Sequence, residues 1–482
     1  MKKIILAFVF ALFATCLLFS CKSYVIDDEM LSSNSSSLEV RSDAGIDAEE
    51  FNVTQDMAEY YAKSFKERPT IKSIKSYDYN GVTCLYIVNF EKGWMAIPAD
   101  SRIQTILGEG ENDQLYDEDL QNPGIEIWLE MAMENVYRVK EDGIKEYNPD
   151  NVKLWNCIKK IVGEESNRSQ EPEGNAAWVM VTNTSTTTQY NADVPHLLQT
   201  KWGQANPWFI SLPIDPQLHN QGIDLHFLTG CIPTAISQVL YYFHYKTGYP
   251  NDLWHSIDPY ISASLGNNKY KVGLVKYDYD YTVNSDHWDD MPLTNNGVGN
   301  FSYVSDLMMD VGVRLDVTYG VSSTSGSILT GSDIAPCGMS GTGNNYSYST
   351  VMNNLNNQKP VLVTAGNGSS GHAWVIDGCL DKTVYSNSTT IFYEYQEGVL
   401  YPTGSVYLSE SEMLAINPSP YDGYSIVNNT TEQTQYLLMN WGWYGNHDDD
   451  HFVIEPSAGS NDWRGYNIVP CIIYNITTGQ MN

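Results

Sequence analysis

Cys231 combines the residue type and the local pattern of a nucleophile. It lies in the segment TGCIPTAISQVL (229–240), and Pro233 suits the first turn of a helix, where its missing N–H is not needed. One face of this helix is apolar and is formed by Ile232, Ile236, Val239, Leu240 and Phe243. At a helix amino terminus the helix dipole and the free backbone N–H groups favour a thiolate, and the same N–H groups can bind an oxyanion. The pattern therefore predicts a reactive cysteine, with a buried structural cysteine as the alternative.

A thiolate nucleophile needs a base, and His372 is the best candidate among the nine histidines. The segment GHAWVIDG (371–378) is an apolar run bounded by glycines, which predicts a buried strand with His372 at its start. The spacing of 141 positions from Cys231 to His372 fits papain-like enzymes, whose catalytic partners meet in space rather than in sequence. A structural histidine is the alternative.

A third segment could orient that histidine. In MNWGWYG (439–445), Asn440 or Trp441 could fix the tautomer of an imidazole and shield it from water, and Trp443 belongs to the same loop. Taken alone, the segment could also be core aromatic residues on a turn. The order of cysteine, histidine and Asn-Trp along one chain favours the catalytic interpretation.

The elements around these residues divide into two units. From about residue 51 to residue 162 the pattern predicts a small α+β unit. It has a helix over Met57–Lys66, two strands over Leu85–Phe90 and Gly93–Ala99, and a longer helix that opens at Asn122-Pro123.

A polar linker is predicted at residues 163–190, because the stretch GEESNRSQEPEGN (163–175) has no apolar period and is a natural place for proteolysis. The remaining unit, residues 191–482, is rich in Tyr, Trp, Gly and Asn. Beyond residue 175 the chain has only nine basic residues against 27 acidic ones.

The amino terminus has the pattern of a secretory signal. Met1-Lys2-Lys3 precedes an apolar run over residues 4–19, and Leu18-Phe19-Ser20-Cys21 resembles a bacterial lipobox. This predicts a signal peptide over residues 1–21, lipidation of Cys21, and a flexible polar tether over residues 22–50. The expected location is the cell envelope, at the bacterial surface or in the periplasm. An ordinary signal with release of the protein is the alternative.

Charge and cysteine spacing exclude several classes of protein. A formal net charge of −31 repels nucleic acid and anionic bilayers, so no nucleic-acid partner is expected and a membrane only through the lipid anchor. The eight cysteines form no CxxC pair, which disfavours a zinc or redox site; one or two disulfides stay open. The segment HDDDH (447–451) could bind a cation, but we expect a solvated acidic turn. No metal and no organic cofactor is predicted.

Together these segments resemble the streptopain-like cysteine peptidases, a papain-fold family. The likeness spans roughly residues 195–475 and rests on TGCIPTAISQVLYYFHY (229–245), GHAWVIDG (371–378) and NWGWYG, supported by WGQANPW (202–208). It implies an α+β papain-like catalytic domain, preceded by a small α+β prodomain that acts as inhibitor and folding aid.

Several residue roles follow from the resemblance. It implies Cys231 as nucleophile, His372 as general base and acid, and Asn440 with Trp441 in the orienting position. The Cys231 amide and the Gln204 side chain are the expected oxyanion donors. Residues 378–439 stand out as an insertion into the compact family pattern.

The expected function is therefore a secreted cysteine endopeptidase, made as a zymogen, that cleaves extracellular proteins or peptides. Its own prodomain is the expected intramolecular inhibitor. Two alternatives stay open: a catalytically silent surface-binding lipoprotein (an adhesin or inhibitor) on the same fold, and a cell-wall peptide amidase.

Overall fold

The structure is a computed structural model that describes most of the chain after residue 49. The described residues are 50–65, 70–142, 147–165, 177–247, 258–275, 285–366, 370–396, 399, 405–410, 413–414, 422–454 and 467–479. The signal peptide predicted over residues 1–21, the lipidation site at Cys21 and all but the last residue of the tether lie outside them. Among the described residues, no helix is both long and apolar enough to cross a membrane.

The amino-terminal unit, residues 50–165, is a small α+β unit as predicted. Its elements are α1 (Gln55–Lys63), β1 (Ile71–Tyr79), β2 (Val82–Phe90), β3 (Trp94–Pro98), β4 (Gly108–Gly110), α2 (Pro123–Asp142) and α3 (Pro149–Glu165). Strands β2 and β3 and helices α1 and α2 confirm the four elements expected here. The apolar face of α2 packs on the strands through residues such as Ile125 and Val136, which are fully buried.

The carboxy-terminal unit, residues 177–479, mixes helices with longer strands. Its helices are α4 (Pro216–His219), α5 (Cys231–Thr247), α6 (Ser285–Asp289), α7 (Phe301–Arg314) and α8 (Tyr348–Asn356). Its strands are β5 (Trp178–Val194), β6 (Asp258–Gly266), β7 (Lys269–Val275), β8 (Met339–Asn345), β9 (Val361–Gly366), β10 (Gly371–Glu394), β11 (Val406–Leu408), β12 (Tyr424–Asn440), β13 (His451–Phe452) and β14 (Cys471–Thr478). The α+β fold class predicted from the sequence is confirmed.

A single antiparallel sheet joins the two units. Its main path runs β1-β2-β3-β4-β13-β12-β10-β9-β14-β8, with β5 paired to β10 and β11. The junction is the antiparallel pairing of Glu109 in β4 with His451 in β13. Aromatic rings from both units share the core beside this junction, since Phe452 lies 5.0 Å from Trp128 and 5.1 Å from Trp441 between ring centroids.

The predicted linker differs in the structure. The linker predicted at 163–190 is shorter, because α3 extends to Glu165 and β5 begins at Trp178; residues 166–176 lie outside the described part of the chain. The Thr- and Ser-rich residues of β5 pair with β10 from Trp178↔Glu394 to Val194↔Cys379. β-branched threonine favours an extended strand where it finds a partner.

The insertion at residues 378–439 contributes two long strands. Strand β10 has 24 residues and β12 has 17, and they pair from Val375↔Asn440 to Phe392↔Tyr424. The distal parts of β10 (380–394) and β12 (424–436), together with β5, form a three-stranded extension that we call the blade.

Candidate active site

Cys231 is the first residue of α5, as predicted, and is almost fully buried. Gly230, which precedes it, has φ +90°, a conformation that favours glycine, and a Cβ there would lie 2.8 Å from Thr324 Cγ2. The backbone N–H and the hydroxyl of Thr229 both donate to the carbonyl oxygen of Gln204, at 3.1 and 3.2 Å. These contacts hold the sulfur at the positive end of a 17-residue helix.

The sulfur of Cys231 is disulfide-bonded. Nucleophilic chemistry at Cys231 therefore requires that this bond be reduced or exchanged first, because the thiolate is the reactive form. Cys84, Cys337 and Cys471 carry free thiols. Burial raises the pKa of each of these three thiols, to about 12 for Cys337, so they are poor nucleophiles at neutral pH.

His372 is the second residue of β10 and is buried. Its Nε2–H donates to the carbonyl oxygen of Trp441 at 2.9 Å, and its Nδ1 has no hydrogen-bond partner among the described residues. A carbonyl only accepts, so Nε2 carries the proton and Nδ1 carries a lone pair. Burial lowers the pKa of His372 to about 4, against the opposing effect of the Trp441 carbonyl. The imidazole is thus neutral and its Nδ1 is available to take a proton.

Two tryptophans enclose this imidazole. The Trp374 ring lies 6.1 Å from the His372 ring at an angle of 16°, and the Trp441 ring lies 5.4 Å from Trp374. Both tryptophans are fully buried. Trp441 thus acts on His372 through its carbonyl, while its ring and that of Trp374 exclude water.

The aromatic loop that carries Trp441 is fastened to the start of α5 and to the segment before it. Gly442 has φ +65°, and a Cβ there would lie 3.1 Å from Thr234 Cγ2. The hydroxyl of Tyr444 accepts from the backbone N–H of Ala205 at 2.9 Å. Trp443 is half-buried and contacts the ring of Tyr444. His372 and Cys231 are therefore tied to the same loop, through Trp441 and Thr234.

The side chain of Asn440 does not contact His372, unlike the orienting role implied by the resemblance. Its Oδ1 accepts from Gln238 Nε2 at 2.8 Å, and its Nδ2 donates to the carbonyl oxygen of Thr200 at 2.7 Å. Gln238 Oε1 in turn accepts from the Thr200 hydroxyl at 2.9 Å. All three residues are buried. Asn440 therefore links the loop to α5 and leaves the orientation of His372 to the Trp441 carbonyl.

Gln238 is the residue that the sequence analysis missed. A long amide side chain seven positions after Cys231, next to the apolar stripe of the helix, was the available signal. A buried amide is costly unless its hydrogen bonds are made, which points to a specific partner elsewhere in the chain.

Gln204 is tied to the segment that leads into Cys231. It is buried, its backbone carbonyl binds Thr229 two residues before Cys231, and its Nε2 has no hydrogen-bond partner among the described residues. A buried amide N–H₂ without a partner is poised to bind a ligand oxygen. The role of second oxyanion donor beside the backbone N–H of Cys231 stays a prediction.

The amino-terminal unit covers this site. Helix α2 begins at Pro123, and a Cβ on Gly124 would lie 2.2 Å from Trp441 Cε3 and 3.1 Å from His372 Cδ2. The N–H of Gly124 donates to Asn122 Oδ1 at 3.0 Å. The start of α2 therefore lies directly against the candidate base.

The segment HDDDH (447–451) is not the solvated acidic turn expected from the sequence. Asp448 and Asp450 are buried; Asp448 accepts from the N–H of Trp441 at 3.1 Å, and Asp450 accepts from Trp94 Nε1 at 2.8 Å. His447 binds Asp450 at 2.6 Å and Asp119 at 3.4 Å. Burial acts to lower the pKa of His447, but these two carboxylates outweigh it and raise the pKa to about 9. The amino-terminal unit, which contributes Trp94 and Asp119, supplies the partners that sequence reasoning could not place.

The pKa of Asp448 is also shifted by burial. Burial raises the pKa of its carboxyl to about 7, only partly offset by the hydrogen bond from Trp441.

Within the described part of the chain, no group of three His, Cys, Asp or Glu residues is arranged to hold a metal ion.

Comparison with known proteins bears on this site. Residues 202–398, which include Cys231 and His372, match the model of the Peptidase C10 family. Streptopain of Streptococcus pyogenes serotype M28 is 26% identical over 216 residues, covering 40% of this chain and 52% of that protein. Streptopain of serotype M1 is 25% identical over 220 residues, with the same shares. The chain thus spans about half the length of the curated relatives it matches.

A solved structure of a mutant fragment of prointerpain A from Prevotella intermedia is also similar. It has a TM-score of 0.46 and 16% identity, with 85% of this chain and 100% of that chain covered. The family match and the streptopain relatives confirm the resemblance to the streptopain-like cysteine peptidases that was predicted from the sequence.

Proposed function

Because residues 202–398 match the model of the Peptidase C10 family, we propose that the chain is the precursor of a streptopain-like cysteine endopeptidase. The observation that carries this proposal is the state of His372. Its Nε2–H is fixed by the Trp441 carbonyl, and its Nδ1 is left without a hydrogen-bond partner among the described residues. That is the tautomer a general base needs beside a thiol.

The reaction follows from these groups. His372 Nδ1 takes the proton of the reduced Cys231 thiol, and the sulfur attacks the carbonyl carbon of the peptide bond. The backbone N–H of Cys231 and Gln204 Nε2 bind the oxyanion that forms. The C–N bond then breaks, and His372 gives its proton to the leaving amine. Water, deprotonated by His372, attacks the thioester, releases the acid product and restores the thiolate.

In this proposal the amino-terminal unit, which the sequence predicts over residues 51–162, is the inhibitory prodomain. The contact of Gly124 with Trp441 and His372 leaves no room for a substrate beside the base. The neutral state of the buried His372 also disfavours a thiolate–imidazolium pair. Latency thus has a steric and an electrostatic cause.

Activation requires a cut between the two units. Strand β5 is paired with β10 along its length and with β11 at its start, so backbone from Trp178 onward is protected from proteolysis. We place the activating cut after Glu165 and before Trp178, so that β5 stays with the catalytic domain.

Location and substrates belong to the same proposal. A signal peptide ending at Cys21, with lipidation of that cysteine, would place the enzyme in the cell envelope and its substrates among extracellular proteins or peptides. The 27 acidic and nine basic residues beyond residue 175 favour cationic substrates through long-range steering.

The test uses protein lacking residues 1–21 under mild reducing conditions, with intact mass followed over time. We compare wild type with Cys231→Ala, and with Cys471→Ala as the matched control, because Cys471 is a free, half-buried thiol. Wild type and the control should lose the segment before Trp178, and an epoxide inhibitor of thiol peptidases should prevent this. Cys231→Ala should stay intact.

One result would contradict the proposal. If no variant is cut, and wild type cleaved before Trp178 by an added protease neither hydrolyses casein nor reacts with the epoxide, the protein is a surface-binding protein. Hydrolysis of cell-wall peptides without hydrolysis of casein would instead identify an amidase.

A further inference from the structure

A buried ion pair joins the blade to the prodomain far from the catalytic residues. Lys382 Nζ in β10 binds Glu109 Oε1 in β4, and the two side chains are 1% and 0% exposed. Lys382 lies ten residues beyond His372 in β10, which at the rise of a strand corresponds to about 30 Å along it. The pair is thus separate from the contact at Gly124.

The surroundings of Lys382 come from both units. Its ammonium lies 5.7 Å from the ring of Phe65 in the prodomain, 5.6 Å from Tyr190 in β5 and 5.8 Å from Tyr436 in β12. Aromatic faces at this distance attract a desolvated cation. Two of the three rings belong to the blade and stay with Lys382 when the prodomain leaves, whereas Phe65 and Glu109 do not.

A buried carboxylate of the blade also binds the prodomain. Glu432 in β12 accepts from the backbone N–H of Thr105 at 2.6 Å and from the Thr105 hydroxyl. Burial raises the pKa of Glu432, and the bonds from Thr105 oppose that rise. The end of α1 adds a bond from the Thr186 hydroxyl in β5 to the carbonyl oxygen of Ser64, at 3.1 Å. All three strands of the blade therefore contact the prodomain.

We propose that the blade is a second docking site for the prodomain, which keeps it bound as a separate polypeptide after the linker is cut. The role of prodomain rests on the proposed function, but the docking itself needs no catalysis. Cutting the linker changes none of these contacts. Activation then has two steps, cleavage and release, and the rate of release is set largely at Lys382 and Glu109.

The ion pair contributes most to prodomain binding, because an interface that keeps only one of the two charges is less stable than an interface with neither. A buried charge without its partner destabilises an interface strongly, whereas two apolar side chains of similar volume in place of the pair are close to neutral. Lys382→Met leaves the Glu109 carboxylate buried in the bound state without its positively charged partner. Lys382→Met combined with Glu109→Met removes both charges.

The experiment follows release of the prodomain from cleaved protein. The chain from residue 22 carries Cys231→Ala, so that it does not cleave itself, and a recognition sequence for a site-specific protease replaces residues 167–173. After cleavage, the protein is immobilised through its carboxy terminus, and loss of the amino-terminal fragment is timed under continuous washing. Lys75→Met is the matched control, because it breaks the exposed pair with Asp117 within the prodomain.

We expect the fragment to stay bound in the parent protein and in Lys75→Met. Lys382→Met should release it at least about 100-fold faster, and the double variant should return to within about tenfold of the parent. If Lys382→Met gives no folded protein, Glu109→Gln, which alters only the prodomain, takes its place with the same expectation.

The proposal is overturned if the parent releases the fragment as soon as the linker is cut. Release from Lys382→Met at the rate of Lys75→Met overturns it too. The parent carries Cys231→Ala, so a chain that proved not to be a peptidase would leave this result unchanged. The two proposals therefore fail independently.

Discussion

Replacing Gly124 by alanine should weaken the latency of the uncleaved chain. The added Cβ would lie 2.2 Å from Trp441 Cε3 and 2.8 Å from Trp441 Cζ3. Carbon atoms in contact lie about 3.5–4.0 Å apart, so the start of α2 must move away by about 1.3 Å or more. Trp441 has little freedom to yield, because its ring is packed against Trp374 and Phe452.

The size of the effect follows from two opposing free-energy changes. Overpacking a close contact costs about 1–3 kcal/mol. Alanine in place of glycine favours the helical conformation by up to about 1 kcal/mol. The strain outweighs this gain, and a net cost of about 1–2 kcal/mol shifts the balance toward an uncovered site by roughly 5- to 30-fold.

The assay measures access to Cys231 in the uncleaved chain. After mild reduction, initial rates of alkylation at Cys231 are measured by peptide mapping for wild type, Gly124→Ala and Gly479→Ala. The last variant adds the same methyl group where nothing lies within 4 Å. We expect alkylation roughly 5- to 30-fold faster in Gly124→Ala alone. Equal rates in all three proteins would show that α2 does not cover the catalytic residues.

Three further predictions concern other parts of the site. Gln204→Ala should lower kcat of the cleaved enzyme by about 10²–10³ with little change in KM, because its Nε2 is assigned to the oxyanion. Steady-state kinetics on a fluorogenic peptide measure both constants. A change in KM alone would contradict this role. Gln238→Met should destabilise the fold by about 1–3 kcal/mol in urea unfolding, because it leaves buried Asn440 and Thr200 without their partner. His447 has a folded pKa of about 9, above its unfolded value of 6.5, so its contribution to stability is complete below about pH 6.5 and is lost as pH rises through 9. Thermal unfolding of the uncleaved chain should therefore show a fall in Tm between about pH 7 and 10 that His447→Gln reduces; identical profiles would refute the assignment.

The parts of the site that depend on local pattern were predictable from the sequence. The apolar stripe and Pro233 predict that a helix begins beside Cys231, and α5 begins at that residue. The apolar run after Gly371 predicts a strand, and His372 is at the start of β10. Periodicity and helix-start signals depend on a few neighbouring residues, which is why they hold without knowledge of the rest of the fold.

The predictions that failed concern residues whose partners lie far away in the sequence. Asn440 binds Gln238, 202 positions away in the chain, and no local signal distinguishes that amide from His372 as its partner. The acidic residues of segment 447–451 look solvated in sequence, but Asp448 and Asp450 are buried, and Asp450 binds Trp94, 356 positions before it. Strand β5 looked like linker because its threonines and serines are polar, and only β10 beside it makes them a strand. Tertiary context overrides composition at each of these places.

The pairing of β4 with β13 has a consequence for the solubility of the enzyme after activation. When the prodomain leaves, β13 becomes an outer strand of the remaining sheet, with backbone groups that no longer have partners. Exposed outer strands of this kind are templates for aggregation, and short ones are poor templates. Strand β13 contains only His451 and Phe452, and the acidic residues Asp448, Asp449 and Asp450 precede it directly. Release of the prodomain therefore exposes an edge strand that is too short to pair well with a strand of another molecule.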